Sequence, residues 1–146
     1  MSSLREQIIQ AALALLNTSP PSGVPQTTRA RVQPYDPSEL PAMTIKSLRN
    51  EGQNEKEGRW GYFIQNTFSL RMEFYVAGDA ADELIDPMYV WAVQQLGAQQ
   101  FGSLAQDCYE GIMEWEYADQ DLPYAKATLD FRVEFNSLKK DPTTAG

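Results

Sequence analysis

Hydrophobic positions along this chain change period several times, and each change marks an element. The clearest run is Tyr124–Phe135. There Ala125, Ala127, Leu129, Phe131, Val133 and Phe135 alternate with Lys126, Thr128, Asp130, Arg132 and Glu134. A period of two predicts a strand with one buried face and one wet face. Near the start, Leu4, Ile8, Ala11, Ala12, Leu15 and Leu16 recur at helical spacing. Ser3-Leu-Arg-Glu6 has the spacing of a capping box: the Ser3 hydroxyl accepts from the Glu6 amide while the Glu6 carboxylate reaches back. The pattern predicts a helix over about residues 3–17, ended by Thr18-Ser-Pro-Pro-Ser-Gly23 because proline cannot continue the ladder.

Between these ends the period switches again. Val24–Val32 has strand character, and Gln33–Pro41 is a stiff connection punctuated by three prolines. Ala42–Leu48 reads as a strand around Met43 and Ile45. Arg49–Arg59 contains no apolar residue and reads as a hairpin loop or a mobile arm that orders on meeting a partner. Trp60–Val76 is a long strand in which Trp60, Tyr62 and Ile64, then Phe68, Leu70, Met72, Phe74 and Val76, share one parity. Asn66 falls between the two sets and predicts a bulge or break.

Leu84, Ile85, Met88, Ala92 and Leu96 return to a helical stripe. Asp86-Pro87 reads as an N-cap followed by proline at the first helical position. The second main helix is therefore predicted over about 86–96, after a turn or kinked segment at Asp79–Ile85 and before a stop at Gly97. Gln99–Leu104 is a connector. Cys108–Tyr117 alternates, with Glu110, Glu114 and Glu116 set opposite Tyr109, Met113, Trp115 and Tyr117. Ala118–Pro123 turns into the last strand. Residues 139–146 are polar and predict a flexible C-terminal tail, leaving 1–138 as a single α+β domain.

Composition narrows the chemistry. Twenty Asp and Glu against 12 Lys and Arg give a formal charge of -8, a poor match for phosphate-backbone binding. A negative wall would instead let DNA slide past without sticking. Cys108 is the single cysteine, so no intrachain disulfide can form, which fits a reducing compartment. With no histidine anywhere it lacks the usual activating base, and it reads as a small strand residue. No apolar run is long enough to cross a membrane as a helix. Glu6 and Gln10 interrupt the apolar stretch ending at Leu16, so it reads as a soluble helix and not as a secretory signal.

Asp107, Glu110, Glu114, Glu116, Asp119 and Asp121 form an acidic cluster, and on a strand Glu110, Glu114 and Glu116 share a face. A hard cation needs several converging oxygens, but no Gly-centred calcium loop is present and no histidine offers a transition-metal ligand. A solvated acidic face is the preferred reading. Asp130 and Glu134 have the spacing of an acid–base carboxylate pair, and alternating charges on a wet strand look the same. No phosphate-cradling glycine loop or nucleophile elbow occurs. The expectation is a non-enzyme with no catalytic residue, metal or cofactor.

Particular residues then align with a known pattern: Arg29-Ala-Arg31, Leu40-Pro-Ala-Met-Thr-Ile45 entering a strand, Asp86-Pro-Met-Tyr-Val-Trp91 opening a helix, Glu114-Trp-Glu116, and the final Tyr124–Phe135 strand. Together they resemble the tail terminator family of long-tailed bacteriophages, the minor tail protein U group, over Leu4–Phe135. The resemblance implies a mainly antiparallel twisted sheet flanked by helices. It implies a virion protein, made in the host cytoplasm, that assembles as a homo-hexameric ring on the head-proximal end of the tail tube. Such a ring stops addition of tail tube protein and offers the surface for the head connector or stopper, with DNA passing through its lumen. In that frame Arg49, Asn54, Glu55, Lys56 and Arg59 are the candidate tube-contact loop, and Glu110, Glu114, Glu116, Asp130 and Glu134 the candidate acidic lumen face. The alternatives are a head–tail joining or neck protein, a small-molecule-binding α+β domain, and a metal-dependent hydrolase using the acidic strand.

Overall fold

A computed structural model describes residues 2–18, 20, 24, 26–30, 39–58, 61–77, 81–116, 125–138 and 141–145; of 49–58, 61–63, 81 and 141 it describes the backbone alone. The elements run α1 (Leu4–Thr18), β1 (Thr28–Arg29), β2 (Ala42–Gly58), β3 (Gly61–Val76), α2 (Ala81–Leu96), β4 (Asp107–Glu116), β5 (Ala125–Leu138) and β6 (Asp141–Ala145). The strands form one sheet in the order β1-β2-β3-β5-β4, with β6 pairing the end of β5. Every pairing is antiparallel except β1 with β2. The α+β class and the mainly antiparallel sheet are as the sequence predicts.

Both helices contribute to one core on one face of the sheet. Leu4, Ile8, Ile9, Ala12 and Leu16 of α1 and Ile85, Met88, Ala92 and Leu96 of α2 join Met43, Ile45, Phe68, Leu70, Met72, Phe74, Leu129, Phe131 and Val133. β5 alternates buried and half-buried residues along its whole length, because it lies between β3 and β4 with one face under the helices. Burying a Phe or Leu side chain contributes about 1.5–3 kcal/mol. Phe68, Phe131 and Leu70, all fully buried, are thus among the residues that hold the layers together.

Helix α1 begins as its cap predicts, with the Glu6 amide donating to Ser3 Oγ at 3.2 Å. The return half of the box is not made. The Glu6 carboxylate instead accepts both Nη groups of Arg29, at 2.5 and 2.6 Å, because a bidentate guanidinium outcompetes a backbone amide. That pair ties α1 to β1. Asn17 strengthens the same join, its Oδ1 accepting from the Thr27 amide at 2.7 Å and its Nδ2 donating to the Thr27 carbonyl at 3.2 Å.

Three expectations are corrected and a fourth, at Asn66, is met in part. Helix α2 starts at Ala81, not at about 86, and Pro87 lies inside it. Burial of Ile85 with Met88 holds the first turns helical although Pro87 has no N–H for the Glu83 carbonyl. Residues 49–58 are not a loop but the outer part of β2, paired with β3 as far as Gly58 opposite Gly61. Backbone pairing needs no apolar side chains, so a polar run can extend a hairpin. Asn66 makes no break toward β5, where the register runs unbroken from Phe63 to Val76 and Asn66 Nδ2 donates to Ser137 Oγ at 3.1 Å, but a bulge does sit at its level, since Gly52 and Gln53 of β2 together oppose it. The irregularities lie in β2, between Ser47 and Asn50 and between Glu51 and Asn54. Finally, part of the segment expected to be a flexible tail is β6, which carries a backbone carbonyl, that of Thr143, to the α1 side chain of Gln7.

Candidate assembly surface

The face of the sheet away from the helices carries the charge. Antiparallel register places Lys46 beside Arg71, Arg71 beside Asp130, and Glu73 beside Thr128 and Thr44. Glu73 is only 2% exposed, yet it is charged. Lys46 Nζ lies 2.5 Å from its Oε1, Lys126 Nζ 2.8 Å from its Oε2, and the Tyr75 hydroxyl donates to Oε2 at 2.5 Å. Burial alone would raise its pKa. The bonds from Lys126, Lys46 and Tyr75 outweigh burial and hold it down at about 2. The guanidinium of Arg71 forks onto Asp130, with Nε at 2.7 Å and Nη2 at 3.1 Å, and that bond raises the Arg71 pKa.

These contacts reshape the predicted acidic face. Asp130, Glu134, Glu114 and Glu116 do share the outer face, through the pairings of Glu114 with Thr128 and Glu116 with Lys126. Glu110 does not. It stands opposite the core residue Phe131 on the helix side, where it accepts from the Tyr89 hydroxyl of α2 at 2.5 Å. The cause is a bulge between Glu110 and Met113, where Gly111 and Ile112 together oppose Asp130 and flip the strand's parity. A Cβ at Gly111 would meet the Asp130 carbonyl oxygen at 2.9 Å, so glycine is what lets the backbone close there. The same flip places Cys108 in the core before the bulge and Met113 on the core side after it.

Lys46, Arg71, Lys126 and Arg132 also stand on this face, among Glu73, Asp107, Glu114, Glu116, Asp130 and Glu134. The outer face is therefore mixed in charge, acidic chiefly toward β4. Tyr109 spans part of it, its hydroxyl donating to Glu134 Oε1 at 3.3 Å. Asp119 and Asp121 lie outside the described residues. Among the described residues no three Cys, Asp or Glu converge to hold a metal ion.

Sequence reading missed the sheet edges. Among the described residues no strand pairs the outer side of β4, and β1 covers β2 only at Thr44 and Ile45. Exposed apolar side chains sit beside both edges: Tyr109, Ile112 and Trp115 on β4, Leu48 on β2. Leu84 and Val90 on α2 are exposed as well. Arg49, Asn54, Glu55 and Lys56, the candidate tube-contact residues, all lie on the backbone of β2, and Arg59 lies outside the described residues. A half-open apolar pocket of about 310 Å³ opens beside α2, lined by Val24, Leu40, Pro41, Val76, Ala77, Leu84, Pro87 and Met88 with Glu83 at its rim.

No protein-family model matches this sequence, and no curated protein does. Among solved structures, one chain of the "Virion of native gene transfer agent (GTA) particle" is similar at a TM-score of 0.46 and 10% identity, covering 92% of this chain and 92% of that chain. At that score and identity the role has to be argued from the surface itself.

Proposed function

We propose that this chain is a structural virion protein, a tail terminator that closes into a ring on the head-proximal end of a phage tail tube. One observation carries the reading: the sheet is open along both outer strands among the described residues, with exposed apolar side chains beside each. A subunit with two different open sides can repeat around a rotation axis, and a closed rotation caps growth where an open one would propagate it. Of the segments that resemble the tail terminators, Arg29 lies on β1, Ala42–Ile45 on β2, Asp86–Trp91 on α2, Glu114–Glu116 on β4 and Ala125–Phe135 on β5. The β2–β3 hairpin would reach toward the tube protein, the opposite end of the ring would meet the head connector or stopper, and the acidic part of the outer face would line the lumen that DNA crosses.

The reading is tested by adding purified protein to polymerising tube protein. Tube growth is expected to stop, with a ring visible at one end by electron microscopy. Continued growth at saturating protein would contradict it. The apolar pocket supports a second reading, a small-molecule-binding domain. That reading expects a melting shift with an apolar ligand, and none is expected if the protein is purely structural.

A further inference from the structure

We infer that the apolar pocket beside α2 seats one large apolar side chain of another protein, carried on a segment with Lys or Arg on both sides of it. The inference is independent of ring assembly. Val76 and Met88, both buried, line the pocket together with Leu84, which is 49% exposed. Its volume of about 310 Å³ lies at the small end of ligand pockets, which run to about 300–1,000 Å³ and enclose most of their ligand. A half-open cavity of that size suits the anchor side chain of a larger partner better than an enclosed small molecule.

Charge says what flanks that side chain. Glu83 and Pro87 also line an adjoining shallow hollow, shared with Asp82, Asp86 and Trp115. Asp82, Glu83 and Asp86 are all exposed, and among the described residues no Lys or Arg pairs with any of them. The dipole of α2 accounts for Asp82 and Glu83 in its first turn, but Asp86 lies beyond that turn. No cation lines either hollow. Three carboxylates beside an indole favour Lys or Arg, both by charge and by cation–π attraction. They would repel an acidic segment, and a neutral one would gain nothing from them. Apolar anchor and flanking cations are thus the chemistry that complements the two hollows together.

The test uses the isotope-labelled full chain and the blocked peptide Gly-Lys-Phe-Lys-Gly, followed by nuclear magnetic resonance. Shifts are expected to centre on Val76, Leu84, Met88 and the Trp115 indole. Gly-Glu-Phe-Glu-Gly, which reverses the charge, and Gly-Lys-Gly-Lys-Gly, which lacks the anchor, are each expected to bind about tenfold more weakly. Leu84→Ser and Asp86→Asn, both at exposed side chains, are expected to keep the parent melting temperature and weaken binding of the first peptide. No shift at the pocket overturns the inference, as does equal binding of the three peptides or binding that neither variant changes. Phenethylamine binding as tightly as the first peptide would give the pocket to a small amphiphilic amine. The same shifts on concentrating the protein alone would give it to a second copy. Either result also overturns the proposal.

Discussion

Glu73 is the residue on which the outer face depends most. Its carboxylate is nearly inaccessible and is held between Lys46 and Lys126 with the Tyr75 hydroxyl. Its folded pKa of about 2 lies below the ordinary 4.5, so it contributes stability that is fully present above pH 4.5 and is lost as pH falls through about 2. A shift of that size corresponds to about 3 kcal/mol. Glu73→Gln is expected to cost about 2–3 kcal/mol in urea unfolding at pH 7, and the gap from the parent should close near pH 2. A constant gap across that range would refute the assignment. Cys108 gives a second check. Burial first, then the nearby Asp107 charge, pushes its thiol up to about 12. Thiol reagents should label it only after unfolding, and rapid labelling of native protein would count against its place in the core. Neither environment was legible in the sequence. Period two tells which face a strand residue takes, but the two lysines that hold Glu73 come from different strands, and only register brings them together.

Elements were legible where one periodic signal ran without competition. β5 alternates as the sequence predicts because nothing along it interrupts the backbone, and α1 starts where Ser3 caps it. The start of α2 was misread because Asp86-Pro87 imitates a helix start, while the apolar stripe already begins at Leu84 and Ile85. Proline in a helix interior costs about 3 kcal/mol relative to alanine. Pro87→Ala is therefore expected to raise stability by about 1–3 kcal/mol, read as a higher melting temperature. A loss of stability would favour a helix beginning at Asp86. The glycine at 111 gave no sign in the alternation that it would flip the face of β4, which is why Glu110 was grouped with Glu114 and Glu116. In the β2–β3 hairpin, deletion of Gly52–Glu57 removes outer β2 pairing and leaves β3 paired with β5. Folding is expected to survive, with tails of uncontrolled length in electron micrographs. Tails of normal length would detach the hairpin from tube contact.

Among the described residues the molecule is a sheet with helices on one face, charge on the other, and open strands at both edges. In the proposed ring each surface would have its own work: the core would hold the subunit, the edges would meet neighbours, and the outer face would meet what passes through the lumen. Glu116→Lys with Glu134→Lys is expected to leave ring assembly intact while slowing DNA passage, seen as reduced infectivity at normal particle yield. Full infectivity would remove the lumen role for that face. Sheet edges are a property of strand order, and strand order is set by contacts far apart along the chain, so no local pattern announced them. The most direct measurement is the length distribution of tails assembled with and without this protein, by electron microscopy. Uniform tails bearing a terminal ring in its presence and overlong tails in its absence are expected; identical length distributions would contradict the account.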